Sequence, residues 1–191
     1  TNNKTNTTAV SKPGTKIWNY IDYNNVNTVA QAMINNSATY GTTKSGLITG
    51  TQWDTIMKWY QNSNIIVDTT QDWGTYRNLT YSGTGKYFTY SGSASTTWSE
   101  GEFTRTGNST HPSYPYYYHA SGLNANGIKK NIADLGGNVW EWTAEIYSTN
   151  RVRRGGYAYG SAADFPASYR DVSGTGGAYY NLGFRSVLYI Q

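Results

Sequence analysis

Apolar positions recur along this chain with two different spacings. Val26, Val29, Ala30, Met33 and Ile34 fall three and four apart, which predicts a helix over 24–35 ended by Asn35-Asn36-Ser37. Trp53, Ile56, Met57 and Tyr60 repeat that spacing and predict a second helix from Gln52 to about Gln61. Thr51 is placed to cap it, with Asp54 three residues on in a capping-box position. The last third alternates instead. In Asn138-Val139-Trp140-Glu141-Trp142-Thr143 the two tryptophans share one strand face, with Val139, Glu141 and Thr143 on the other. Arg151-Val152-Arg153-Arg154 alternates too, and Gly155-Gly156 stops it. Gly183 to Ile190 reads as a final strand with Phe184, Leu188 and Ile190 inward.

Three stretches carry no clear period. Residues 1–15 are polar, with a Pro13-Gly14 turn pair, and read as a linker or docked arm ahead of a domain over 16–191. Residues 62–128 are rich in Gly, Ser, Thr, Asn and Tyr, with extended pieces expected to be short, Tyr87-Phe88-Thr89-Tyr90 among them. Residues 157–182 separate the last two strands. Long loops inside one domain are usually functional when ordered.

Composition narrows the chemistry. Thr, Asn and Ser supply 62 of the 191 residues, 16% are aromatic with 19 Tyr, and only 14% are charged. Zero Cys excludes a thiol nucleophile, a disulfide framework and any thiolate metal site. The two histidines, His111 and His119, have no ligand geometry that their spacing on a Pro-containing loop supports. Among the eleven acids, Asp134 and Glu141 are the obvious pair for carboxylate chemistry. A net charge of +4 comes without a Lys/Arg run of nucleic-acid type, so no nucleic-acid partner is expected. No apolar run approaches the roughly 20 residues of a membrane helix, so no membrane insertion is expected. A chain without Cys that is rich in Thr, Asn and Tyr fits an extracellular setting, on a cell surface or a virion.

Three blocks stand in order: Asp134-Leu135-Gly136-Gly137-Asn138-Val139-Trp140-Glu141-Trp142-Thr143, then Arg151-Val152-Arg153-Arg154-Gly155-Gly156, then Gly183-Phe184-Arg185. Together they resemble the formylglycine-generating-enzyme (sulfatase-modifying factor) family. The likeness is best over residues 131–191, and Ser45 to Asp54 looks like a divergent form of that family's helix start. It implies an α+β, C-type-lectin-like fold with two helices, short antiparallel sheets and much irregular loop. Trp140 and Trp142 then read as core anchors, and Arg185 and Arg154 as holders of buried carboxylates such as Glu141. The sulfatase-activating members use two cysteines, which the spacing from Gly155-Gly156 places near Gly160 and Phe165; neither has sulfur. Relatives with a non-haem iron use three histidines, more than this chain has. No copper or iron is therefore expected.

The resemblance also matches Asp134, Gly137, Val139 and Glu141 to a calcium loop of the family, with side-chain oxygens from the outer two and carbonyls from the inner two. Hard oxygen donors suit a structural Ca²⁺. The alternative is that Glu141 pairs with an arginine and Asp134 caps a turn.

The segment 157–182 holds the candidate ligand-binding residues Tyr157, Tyr159, Asp164, Phe165, Tyr169, Asp171, Tyr179, Tyr180 and Asn181. Tyr among Gly, Ser and Ala is the composition of adaptable contact loops. Retroelement-diversified variable proteins use the same lectin-type fold and vary this stretch. Adenine substitution in Asn codons yields Tyr, Ser, Asp, Gly, Ala and Asn, the types abundant here. The expectation is a non-catalytic binding module, with 111–119 beside the loop, for a protein or glycan ligand on another cell or virion. The alternatives are a divergent enzyme of the same family using oxygen and nitrogen ligands, and a spacer in a larger surface or fibre protein.

Overall fold

The computed structural model describes residues 8–34, 41–90, 97–108 and 115–190. Helix α1 (Tyr23–Gln31) begins where Asp22 accepts from the Asn25 backbone N–H, and it buries Tyr23, Val26, Val29 and Ala30. The predicted terminator Asn35-Asn36-Ser37 lies outside the described residues. Strand β1 (Thr43–Leu47) leads into α2 (Gly50–Asn62). The expected cap at Thr51 with Asp54 is corrected by two residues: Thr49 caps, and Gln52 completes the capping box. The Gln52 side-chain oxygen accepts from the Thr49 backbone N–H, as an acidic residue there would, so the start lies upstream of the expected one with the buried stripe unchanged.

Residues 62–128 contain more strand than their composition predicts. β2 (Tyr81–Tyr90) pairs antiparallel with β3 (Ser99–Arg105) and with β4 (Tyr116–His119), giving the order β3-β2-β4. Gly83, Gly85 and Gly101 sit inside these strands and hid their alternation. At Gly83 a Cβ would come 2.7 Å from the Phe103 ring, so the glycine makes room for that ring. A short hairpin of β5 (Ile128–Lys129) and β6 (Ile132–Ala133) follows.

The central sheet is built by β7 (Trp140–Tyr147), β8 (Asn150–Arg154), β9 (Arg170–Ser173) and β10 (Leu182–Phe184) in the order β10-β7-β8-β9. β10 runs parallel to β7, an exception to the antiparallel expectation, because the long 157–182 connection returns the chain in the same direction. β9 lies inside that connection, which had shown no period. β11 (Ser186–Ile190) pairs with β1. Leu188 and Ile190 are 56% and 82% exposed, which corrects the inward assignment; the strand breaks at Arg185 and its outer end lies in a two-stranded ribbon.

Trp140 and Trp142 are 2% and 0% exposed and join Ile21, Val26, Val29 and Leu182 in one core cluster. Trp53, Met57, Tyr60 and Trp73 centre a second one. Both faces of β7 are buried at 140–143, so the alternation there separates two packed sides and not inside from outside. Arg185 donates to Glu141 from Nε (2.9 Å) and Nη2 (2.7 Å). Arg154 instead holds Asp54 on α2 and the Ser168 carbonyl, with Glu145 3.8 Å away. Of the first stretch, Gly14 N donates to Ser121 O, and Ser121 N donates to Thr15 O.

Candidate functional site

The floor of the site is Trp140, at the start of β7. Across the sheet, Arg153 on β8 lays its guanidinium 5.0 Å from the Trp140 ring and grips Asp171 on β9 with Nε (2.9 Å) and Nη2 (2.7 Å). The sheet register sets this directly, since Arg153 stands opposite Asp171. Three rings of the long connection close on the same tryptophan: Tyr157 at 5.7 Å, Phe165 at 5.6 Å and Tyr169 at 6.1 Å between centroids.

Gly156 makes the approach possible. It has φ +76°, and a Cβ there would meet the Phe165 carbonyl oxygen at 2.2 Å. The chain can therefore double back so that 157–169 lies against its own start. Phe165 N donates to Ser161 O and Gly160 N to Tyr157 O, fixing the turn within the loop.

A second group of rings extends the surface. Tyr159 lies 6.0 Å from Tyr157, 5.3 Å from Tyr90 at the end of β2, and 5.0 Å from Tyr116 at the start of β4. Tyr180 stacks on Tyr90 at 5.3 Å and meets Tyr118 edge-on at 5.6 Å. Burial pushes the Tyr157 and Tyr180 hydroxyls up; at Tyr157, Arg153 and Arg77 pull back the other way. Arg77 reaches in from the segment between α2 and β2 and donates to Asp164 at 3.3 Å. Asp164 also accepts from Ser161 Oγ at 2.7 Å.

The predicted ligand residues thus divide. Tyr157, Tyr159, Phe165, Tyr169 and Tyr180 converge on one ring network, with Asp164 and Asp171 held at its edge. Tyr179 and Asn181 act through their carbonyls, which accept from Tyr20 N (3.0 Å) and Trp140 N (2.8 Å). Of the 111–119 stretch, residues 111–114 lie outside the described residues, and Tyr116 joins the network. His119 is buried, with Nε2 on Thr75 Oγ1 and Nδ1 on Ala120 O, both at 2.9 Å. Arg77, Arg153 and Tyr90 were not singled out as site residues from the sequence, whereas Tyr116 lies in the 111–119 stretch expected beside the loop. The alternation of β8 bore on Arg153; nothing local marks Arg77, whose partner is 87 residues away.

Gly160 and Phe165, matched by spacing alone to the family's cysteines, are neighbours in space. A Cβ on Gly160 would come 2.7 Å from the Phe165 ring and 3.0 Å from that of Tyr157. Aromatic carbon fills the space beside Gly160.

At the oxygen set of Asp134, Gly137, Val139 and Glu141, both Glu141 oxygens accept from Arg185. Burial pushes the Glu141 carboxyl up while Arg185 draws it back. Asp134 Oδ2 accepts from Gly122 N at 2.8 Å, and its Oδ1 is buried without a partner. Gly137 N donates to Gly155 O, and the Val139 side chain packs with Phe88 and Tyr118. Glu141 on an arginine and Asp134 on a turn is the alternative arrangement stated for this set; Asp134 Oδ1 is the one spare side-chain donor to a cation. Among the described residues no three His, Asp or Glu side chains gather as a metal site.

Comparison with known proteins places this geometry. No curated protein matches the chain significantly. The crystal structure of CarF superposes with a TM-score of 0.57 at 13% identity, covering 91% of this chain and 67% of that one, and shares its fold. Treponema denticola variable protein 1 aligns with a TM-score of 0.40 at 18% identity over 75% of this chain and 47% of its own. The fold is α+β and C-type-lectin-like. The family model of the sulfatase-modifying factor enzyme 1-like domain matches residues 73–190, well over half of the chain, and the protein belongs to that family.

Proposed function

We propose that this domain is a non-catalytic binding module that meets its ligand with the aromatic surface of Tyr157, Tyr159, Phe165, Tyr169 and Tyr180. The observation that carries the reading is the filling of the cysteine positions. Gly160 and Phe165 bring no sulfur, and the rings of Phe165 and Tyr157 occupy the space between them. Tyr and Arg over a rigid floor are the residue types that dominate contact energy in protein recognition. The setting of such a module is extracellular, on a cell surface or virion, with a protein or glycan of another cell as its ligand.

The segment 157–182 is proposed further to be a variable region of a diversity-generating retroelement. Its support is compositional: the residue types reachable from Asn codons are the abundant ones. Sequencing the gene's neighbourhood tests this, and absence of a near-identical template repeat and a reverse transcriptase removes it.

The binding role is tested by screening the wild type against arrayed glycans and displayed surface proteins, beside Tyr157→Ala with Tyr169→Ala. Tyr179→Ala, outside the ring network, is the control. Loss in the double variant with retention in the control is expected. Equal binding by all three rejects the surface. Stoichiometric copper or iron together with oxidation of a thiol substrate would replace the binder with the enzyme reading.

A further inference from the structure

We propose that Arg77 is the anion-receiving group of this surface, and that the partner is a protein presenting an acidic side chain to it. This rests on reading the aromatic surface as the ligand face.

Three guanidiniums border the rings, and they are satisfied to different degrees. Arg153 has a close charged partner: two short bonds to Asp171 hold it over Trp140. Arg105 is 5% exposed, donates to Pro115 O and to Arg77 O, and lies 4.2 Å over the Tyr116 ring. Arg77 differs. Its one side-chain hydrogen bond among the described residues is the long 3.3 Å contact from Nη2 to Asp164. Its Nε is buried with no partner. A guanidinium carries five N–H donors in a fixed fork, and this side chain is only 16% exposed, so water satisfies little of it.

Asp164 is a weak competitor. Its side chain is 56% exposed, and the oxygen facing Arg77 is shared with Ser161 Oγ. The charges around the rings are three arginines against Asp164 and Asp171, an excess of one positive charge. An incoming carboxylate would take a bidentate place on Arg77 that Asp164 leaves open. Tyrosines around it would cover the apolar part of the same residue.

A protein source is favoured over an acidic glycan by two observations. The surface is made mostly of Tyr with Arg at its edge, anchor types of protein interfaces. The chain is basic overall, at +4, which steers acidic protein surfaces toward it.

The experiment is NMR of the arginine Nε–Hε and tyrosine ring signals of the full chain. It is titrated separately with an acetylated, amidated Ala-Glu-Ala peptide, with glucuronate and with the neutral phenol p-cresol. The peptide should shift the Arg77 Nε–Hε signal saturably. Arg77→Gln should abolish the remaining shifts. Asp164→Asn, which removes the competing charge and keeps an amide oxygen for Ser161 Oγ, should tighten the peptide by about two- to five-fold. If Arg77→Gln fails to fold, Asp164→Asn still decides: unchanged or weaker affinity overturns the proposal. Shifts with glucuronate and none with peptide overturn the protein partner. Shifts of the Tyr157 and Tyr169 rings with p-cresol, and none at Arg77 with any acid, overturn Arg77 while the binding surface stands. No shift with any probe removes both readings.

Discussion

Alkali should unfold this protein over a narrow range, and the buried tyrosines say where. Tyr60 has no exposed surface, and burial pushes its hydroxyl from the ordinary 10.0 up to about 12, with a smaller downward pull from Arg185. Burial likewise pushes Tyr76, Tyr81 and Tyr118 up, and all four are at most 2% exposed. A group with a higher pKa folded than unfolded contributes stability that is whole below its unfolded value. That contribution is lost as the pH climbs through the folded value. The window therefore opens near pH 10, where the unfolded chain begins to ionise these hydroxyls and the folded chain does not. Each such tyrosine costs about 1.4 kcal/mol per pH unit. Tyr60 alone removes about 2 kcal/mol by pH 12, and the four together remove about 5 kcal/mol per unit. Against a domain stability of about 5–15 kcal/mol, unfolding falls between about pH 11 and 13.

The assay follows tyrosinate absorbance and near-ultraviolet circular dichroism in one titration. A first rise in absorbance should come without loss of dichroism. The buried four should ionise only in a second, cooperative step that coincides with its loss. A smooth absorbance curve that accounts for all 19 tyrosines while the dichroism persists would refute the burial argument.

Glu141→Gln leaves Arg185 without a charged partner and should cost about 3–5 kcal/mol by urea unfolding, with Glu141→Leu plus Arg185→Met recovering much of it. Gly156→Ala forces a Cβ to 2.2 Å from the Phe165 carbonyl at φ +76°, and should cost more than about 1 kcal/mol while disordering the signals of 157–169. Millimolar Ca²⁺ should leave the melting temperature unchanged, because Arg185 already occupies both Glu141 oxygens. A saturable rise that Asp134→Asn removes would show the ion instead.

The parts of this fold that were legible in the sequence are those where one face alone repels water. The α1 stripe of Val26, Val29 and Ala30 and the α2 stripe of Trp53, Met57 and Tyr60 came through because each helix packs on one side. Of β2 only Tyr87–Tyr90 came through, and β3 not at all, because their pleat is interrupted by glycines that admit Phe103 and Leu123. Leu188 and Ile190 misled for a related reason: alternation marks an edge ribbon as readily as a core strand, and only pairing with β1 decides. Within the site, the tyrosines of 157–182 were visible by composition. Arg77 and Tyr90 were not, since tertiary folding alone brings them to Tyr157 and Tyr159.

The way the 157–182 segment is held explains how one scaffold could present many surfaces. Much of its attachment uses main-chain atoms. Arg77 N donates to Gly160 O, Ala158 N to Asn138 O, Ser168 N to Val67 O, Tyr20 N to Tyr179 O and Trp140 N to Asn181 O. Ala167 N donates to the Gln71 side chain at 2.8 Å, so there too the loop offers only its backbone. None of these bonds depends on which side chain the loop carries. Exchange should therefore be cheap where a side chain is exposed and costly where it is packed. Tyr169, Tyr179 and Asp164 face solvent, so Tyr169→Ser, Tyr179→Ser and Asp164→Asn should each change stability by under about 1 kcal/mol. Trp140→Ala, beneath them and 2% exposed, should cost about 3–5 kcal/mol. Urea unfolding of the four variants compares the two classes directly. A cost at Tyr179 equal to that at Trp140 would mean that the side chains, and not the main chain, hold the segment in place.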